Sequence, residues 1–333
     1  MILAGDIGGT KTTLAFFTIE QERLKPIIES TFPSREHGSL REIARKFVST
    51  NSLSIEHICF GVAGPVKEGR CEATNLPWVV DAKILAAELG IEGVWLINDL
   101  EATAYGIKAL EPKDFTILNN GASDAKGNAA VIAAGTGLGE AGFYWDGKQH
   151  FPFACEGGHA DFAPRNELEM ELLSHLLKHF SHVSYERVLS GPGLFNIYSF
   201  LRDTGRFGRE PEWLSEKISR GDNPSSAVSE AALKGSCELC VKAMDIFVSI
   251  YGAEAGNLAL KTLATAGVYV GGGIAPKIIK KLTDGNFIKA FISKGRMEHL
   301  MQEIPVSVIL NDKTALLGAA RYAALKSERS EIQ

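Results

Sequence analysis

The chain has 333 residues, of which 45% are hydrophobic and 23% charged, and carries a formal net charge of −5. That is the composition of an ordinary globular protein long enough for about two domains. Its acidic balance argues against nucleic acid as a main partner, because such proteins carry a basic patch. No apolar run approaches the ~18 residues needed to cross a bilayer, and no basic flank or cleavage signal opens the chain, so no membrane role is expected. The cysteines, Cys59, Cys71, Cys155, Cys237 and Cys240, are odd in number and mostly scattered. That pattern suits reduced thiols in the cytoplasm. Cys237 and Cys240 form a Cys-x-x-Cys pair without a second pair, which reads as buried thiols rather than a four-ligand zinc site.

The first element is an apolar run from Ile2 to Asp6, broken at Gly8-Gly9 and resumed from Thr12 to Phe17. β-Branched and aromatic residues around a glycine pair predict a strand, a tight turn and a returning strand. The glycines can adopt positive φ and let backbone N–H groups approach an anion, with the Thr10 hydroxyl and the Lys11 cation beside it. Asp6, at the strand end, suits magnesium held through water. Ser39 begins a helix with Glu42 completing a capping box, and Leu40, Ile43, Ala44, Phe47 and Val48 share a face. Ile58–Ala63 is a buried strand, and Asn75–Trp78 reads as a loop. Asp81 caps a helix through Leu89, with Gly90 at its left-handed end. Val94–Ile97 is the next strand, followed at once by Asn98, Asp99 and a helix to about Leu110. Strands alternating with helices predict a mostly parallel, covered sheet, whose ligands gather beyond the carboxyl ends of the strands. Asn98 and Asp99 stand at such an end.

A Pro/Asn/Gly/Ser-rich stretch from Pro112 to Asn128 suggests a domain crossing near residue 110. The strand Ala129–Ala134, the turn Gly135-Thr136-Gly137-Leu138-Gly139 and the returning strand Glu140–Trp145 then repeat the opening design. Two glycine turns of one kind suggest a duplicated ATP-binding core. Cys155–Pro164 is irregular and polar, and Asn166 caps a helix to about Phe180 with Glu169 three residues on. From Ser226 to about Leu263 the pattern is helical, with Gly235, Gly252 and Gly256 as expected kinks or breaks. Ala266–Val270 is a strand leading into Gly271-Gly272-Gly273, with a helix from about Pro276. Val306–Leu310 is the last strand, and a helix from Lys313 to about Leu325 carries the small residues Ala315, Gly318, Ala319 and Ala320. The charged tail from Lys326 is expected to fray.

With these pieces in order, the chain resembles the bacterial ATP-dependent glucokinase family, within the sugar kinase/Hsp70/actin superfamily. The resemblance covers nearly the whole chain. It is most specific at Leu96-Ile-Asn-Asp99, at Glu156-Gly-Gly-His-Ala-Asp-Phe-Ala-Pro164 and at Glu186-Arg-Val-Leu-Ser-Gly-Pro-Gly193. Related repressor/ORF/kinase proteins add a zinc-binding Cys-x-Cys cluster after their Gly-His, and none follows His159. Lys11 departs from the asparagine that many members carry. The implied fold is α/β, a two-domain actin-like ATPase (ribonuclease H-like) fold with an interdomain cleft. A small domain of residues 1–110 is rejoined by the C-terminal helix of 311–333, and residues 111–310 form a large domain.

The implied reaction moves the γ-phosphoryl of MgATP to the 6-hydroxyl of glucose, with Asp99 as catalytic base and the sugar in the cleft. Asn98, Asp99, Glu156, His159 and Glu186 are the implied glucose ligands, and Arg187 an ion-pair partner. The nucleotide falls to Gly5, Asp6, Ile7, Gly8, Gly9, Thr10 and Lys11 at the first turn and to Gly135, Thr136 and Gly137 at the second. Gly271, Gly272 and Gly273 leave room for the adenosine. ATP and Mg²⁺ are the implied cofactors, and a homodimer the family's usual form. The alternatives are a kinase for another hexose, a non-catalytic sugar sensor of the same superfamily, and an actin- or Hsp70-like ATPase. The first would show a wider pocket or a zinc cluster, and the second an N-terminal helix-turn-helix. The third would lack the sugar-binding set.

Overall fold

The computed structural model describes residues 1–20, 23–51, 53–74, 76–221 and 223–330. Asn75, at the head of the expected loop, and the tail beyond 330 lie outside the described residues. The chain divides into two compact units, one of residues 1–114 together with the segment from Asn311 onward, the other of residues 115–310.

In the first unit the strands are β1 (Ile2–Ile7), β2 (Lys11–Glu20), β3 (Arg23–Pro33), β4 (His57–Val62), β5 (Val66–Lys67), β6 (Arg70–Glu72), β7 (Val79–Asp81) and β8 (Gly93–Asn98). The main sheet runs β3-β2-β1-β4-β8, and β5-β6-β7 make a small one. β1, β2 and β3 pair antiparallel, whereas β1, β4 and β8 are parallel. Successive side chains point to opposite faces, so the two faces of β1 separate cleanly. Leu3 and Ile7 join Phe47 and Leu85 on one face, while Ile2 and Ala4 join Leu316 and Ala319 on the other. The helix Leu40–Asn51 buries the expected stripe of Leu40, Ile43, Ala44 and Phe47. Its capping box closes differently from expectation: Ser39 Oγ accepts the Glu42 N–H at 3.3 Å, but the Glu42 carboxylate takes the Gly38 N–H. Asp81 caps the helix Ala82–Leu89 and Gly90 ends it at φ 68°.

In the second unit the strands are β9 (Phe115–Asn119), β10 (Ala129–Ala134), β11 (Leu138–Trp145), β12 (His150–Cys155), β13 (Gly267–Gly271) and β14 (Val306–Ile309). Their order is β12-β11-β10-β13-β14-β9. The first three pair antiparallel, and β10, β13 and β14 are parallel. Apart from the added edge strand β9, this is the connectivity of the first sheet. The core is built around the 25-residue helix Glu238–Thr262.

Several expectations are corrected. β9 lies inside the stretch read as a crossing. Gly235 does divide the helices Pro224–Lys234 and Glu238–Thr262, at φ 65°. Gly252 and Gly256 do not divide the second of these, which runs unbroken from Glu238 to Thr262. They give room to the helix Asn286–Ile292, whose Phe291 carbonyl would come within 2.7 Å of a Cβ on Gly256. The last helix continues past Lys326 and spans Thr314–Ser330. Cys237 and Cys240 are buried thiols as read, and burial pushes the Cys240 thiol up.

The small residues of Thr314–Ser330 lie against the helix Asp99–Ile107. A Cβ on Gly318 would run into the Ala102 carbonyl, and one on Gly106 into the Thr314 carbonyl. Overpacking of this kind costs about 1–3 kcal/mol. Gly318→Ala should therefore lower the thermal midpoint by several degrees, read by calorimetry. An unchanged midpoint would show that the helices part without cost.

Candidate functional site

Parallel pairing brings the ends of β1, β4 and β8 level. Ile7 lies opposite Val62, and Val62 opposite Asn98. The first glycine turn and the Asn98-Asp99 pair thus share one carboxyl edge of one sheet. Neither Gly8 nor Gly9 adopts positive φ, contrary to expectation. The value of Gly8 is spatial: a Cβ on it would stand 3.1 Å from the Lys11 carbonyl. The Gly8 N–H donates to that carbonyl at 3.0 Å. It is engaged in the turn, which leaves Gly9 and Thr10 as the N–H donors of this loop for an anion. Ser34, which sequence reasoning missed, holds the turn. Its Oγ donates to the Gly8 carbonyl at 2.8 Å and its N–H to the Thr10 carbonyl at 3.0 Å. Gly5 and Ile7 are buried, and Gly5 makes room for Phe60 and Leu14.

Asp6 points, by strand alternation, to the face of Ile2 and Ala4. Burial pushes its carboxyl up to about 6, with the Lys11 cation lowering it and Asp312 raising it. Asp312 joins the site from the far end of the chain, and nothing in local sequence signals it. Such a carboxyl, costly to ionise by itself, fits a divalent cation. One or two carboxylates suffice for magnesium, which takes its remaining ligands from water and phosphate.

Asn98 caps the helix Asp99–Ile107. Its Oδ1 accepts the N–H groups of Leu100 and Glu101 at 2.9 and 3.4 Å, and its Nδ2 donates to the Gly64 carbonyl at 3.1 Å. Its oxygen therefore serves the helix, and its amide is the group with donor capacity to spare. Asp99 Oδ1 accepts the Leu100 N–H at 3.0 Å. Asp99 stands in the first turn, where the aligned backbone dipoles favour a negative charge.

In the second unit the remaining residues gather at the end of β10 and the start of β11. The Gly135 N–H closes its turn onto the Gly137 carbonyl at 2.8 Å, and the Gly135 carbonyl accepts the Gly191 N–H at 2.8 Å. Thr136 is exposed at the tip. Glu186 reaches the same turn: its Oε2 accepts the Leu138 N–H at 2.9 Å and occupies the space of a side chain on Gly137. Glu156 and His159 flank Gly157 and Gly158, and a Cβ on Gly158 would run into the Leu138 carbonyl. Gly271 lies opposite Ala133, and Gly272, at φ 82°, packs on Ala134. Gly273 is exposed, with open space at its Cα. Tyr251, also missed, donates its hydroxyl toward the Gly271 carbonyl at 3.3 Å and accepts the Ala134 N–H at 3.1 Å. Arg187 makes no ion pair among the described residues; its guanidinium lies 4.2 Å over the Phe180 ring. No helix among the described residues is long and apolar enough to cross a membrane.

The glucokinase family model matches residues 3–326. The chain belongs to the glucokinase family. It is 43% identical to a glucokinase of Nostoc sp. over 97% of this chain and 99% of that one. Its fold matches the crystal structure of a glucokinase from an Antarctic psychrotroph, with a TM-score of 0.83, 31% identity, and coverage of 97% and 98%. A ROK family glucokinase from Streptomyces griseus, solved with glucose and AMPPNP, shares the fold at TM-score 0.65 and 21% identity, over 97% and 99% of the two chains. The fold is therefore the actin-like ATPase fold of sugar kinases, as the resemblance implied.

Gly137→Ala would force the Glu186 carboxylate off the Leu138 N–H. A charge-assisted bond of this kind is worth about 1.5–3 kcal/mol, so with Glu186 as a sugar ligand, the role proposed below, the Michaelis constant for glucose should rise about tenfold or more. Steady-state kinetics with glucose varied checks this. An unchanged constant would mean that Glu186 can shift without consequence.

Proposed function

We propose that this chain phosphorylates glucose on its 6-hydroxyl with the γ-phosphoryl of MgATP, giving glucose 6-phosphate and ADP. The observation that carries the reading is the shared strand edge. Asp99, a carboxylate at a helix start, stands level with a glycine turn that offers N–H donors and the Lys11 cation. Membership of the glucokinase family, and a related fold solved with glucose and AMPPNP, support it.

In this reading Asp99 orients the 6-hydroxyl and accepts its proton late, as suits a loose phosphoryl-transfer transition state. Glucose presents hydroxyls that both donate and accept, and Glu156, Glu186, His159 and the Asn98 amide supply matching groups. The N–H groups of Gly9 and Thr10 take phosphate oxygens, as do those of Thr136 and Gly137, and Lys11 adds direct charge. The backbone at Gly271-Gly272-Gly273 leaves space for the adenosine. Asp6, with Asp312 beside it, would hold Mg²⁺, which when bound neutralises charge on the transferred phosphate. The same reading takes the enzyme as a cytoplasmic homodimer. A panel of sugars and phosphoryl donors tests the whole assignment; preference for another hexose would move the substrate and keep the reaction.

Asp99→Asn should lower kcat by about 10²–10⁴-fold, the usual worth of a general base, with a smaller change in glucose affinity. Turnover within tenfold of the parent would remove Asp99 from that role. A second expectation follows from Asp6, which is protonated below about pH 6. Proton and cation compete for the same oxygens, so the acid limb of activity should lie near pH 6 at low Mg²⁺ and move to lower pH as Mg²⁺ is raised. Asp6→Asn should abolish that movement. An acid limb indifferent to Mg²⁺ would separate Asp6 from the metal.

A further inference from the structure

Beneath Gly157 and Tyr185 lies a buried polar cluster that the proposed reaction leaves unused. Glu140, on β11, is 2% exposed. Its Oε1 has no hydrogen-bond partner among the described residues, and its Oε2 occupies the place of a side chain on Gly157. Facing it is Glu254, wholly buried on the helix Glu238–Thr262. Glu254 Oε2 accepts from Asn257 Nδ2 at 2.8 Å and its Oε1 from Lys261 Nζ at 3.3 Å. Asn257 Nδ2 also donates to the Tyr185 hydroxyl at 3.0 Å. Gly157 opens the turn Gly157–His159, and Tyr185 opens the turn Tyr185–Arg187 that carries Glu186. Each buried acid therefore lies under one of the two turns assigned above to the sugar.

We propose that Glu140 is a positioning residue for glucose: as a neutral acid beside Glu254 it supports the Gly157–His159 turn, and loss of its proton displaces that turn and weakens sugar binding. The inference rests on the assignment of Glu156, His159 and Glu186 to the sugar. Two buried carboxylates that repel each other in a medium of low dielectric do not both ionise without a cation for each. Lys261 is the cation bonded to Glu254, and its side chain is more than half exposed. Lys294 spends its donors on the Ala253 carbonyl at 2.8 Å and Asn257 Oδ1 at 2.6 Å. Asn257 and Lys261 both donate to the Glu254 carboxylate, whereas Glu140 receives no such bond among the described residues, so the proton is placed on Glu140. Burial first, and then the Glu254 charge, push Glu140 up to about 8, with Lys261 pulling the other way. The other titratable groups around the cluster are Tyr251 and Tyr185, both raised by burial, Cys155, likewise raised, Lys294, lowered by burial to about 8, and Arg165.

The sign follows from the raised value: the neutral, supporting form holds below about pH 8 and is lost above it. One pH unit higher, about a tenth of the enzyme would remain competent, so the glucose Michaelis constant should rise about tenfold. The experiment measures kcat and both Michaelis constants between pH 6.5 and 9.5, with glucose binding followed separately by calorimetry. For the parent enzyme the glucose constant should climb above pH 8 while that for ATP changes far less. E140Q, neutral at every pH, should flatten the climb. E254Q removes the like charge and should start the climb about one pH unit earlier. A flat parent profile overturns the proposal. So does a climb that survives in E140Q, which would assign it to Lys294 or Cys155. Failure of the parent to phosphorylate glucose at neutral pH would instead strike the functional assignment, so the two failures are distinguishable.

Discussion

Asp99 stands where it does because two helices approach more closely than side chains allow. The helix it opens meets Thr314–Ser330 at Gly106 and Gly318, where an added methyl would strike backbone on the opposite helix. Beneath it, a Cβ on Gly61 of β4 would come within 2.8 Å of the Ala102 Cβ. The helix is thus clamped between a strand and a second helix through positions that have no side chain to adjust. Asn98 completes the constraint by capping the first turn. The position of the carboxylate is therefore a packing consequence, set by the backbone contacts of Gly61, Gly106 and Gly318 and by the Asn98 cap.

The second constraint is repetition. Both main sheets place an antiparallel triplet beside parallel strands, and in both the hairpin of the central strand carries a glycine turn. The two copies have diverged in charge. The first has Lys11 and the Asp6–Asp312 pair around it, the groups proposed above for phosphate and cation. The second has the Glu186 carboxylate drawn onto the Leu138 N–H. That carboxylate takes the Leu138 N–H alone, so the Thr136 and Gly137 N–H groups stay the ones proposed for phosphate, with an acceptor for hydroxyl groups set beside them.

Much of this was legible in the residues. The glycine hairpins, the Asp81 and Asn166 caps and the strand ending at Asn98 carry local signals, because turns and caps are short-range chemistry. β3 escaped notice for a physical reason. It is an edge strand with exposed Arg23, Lys25 and Glu29, and Pro26 sits beside a register shift opposite Phe17, so apolar alternation is lost. β9 was hidden in a stretch rich in turn residues because one strand of its pair, β14, comes nearly two hundred residues later. Gly252 and Gly256 do not break their helix, and a glycine that breaks a helix and one that admits a neighbour look alike in sequence. Ser34, Asp312 and Tyr251 reach the site through tertiary contacts, which no local pattern encodes.

The long helix Glu238–Thr262 adds a last argument. Tyr251 on it touches the Ala134 N–H and the Gly271 carbonyl, at the strand ends assigned to nucleotide. Glu254, three residues on and so on the same side of the helix, lies beneath the turns assigned to sugar. One rigid element therefore underlies both groups of residues in this unit. Glu140 adds nothing to stability at neutral pH. An acid whose value is raised from 4.5 to about 8 is bound to its proton in the folded chain where the unfolded chain would release it. Its burial thus costs folding free energy that grows by about 1.4 kcal/mol per pH unit between those limits, and is absent only in acid. Near pH 7 that amounts to roughly 3 kcal/mol, a cost an isosteric amide would not carry. A residue that costs stability in the pH range where cells live has its explanation in what it holds in place, which here is the backbone of Gly157.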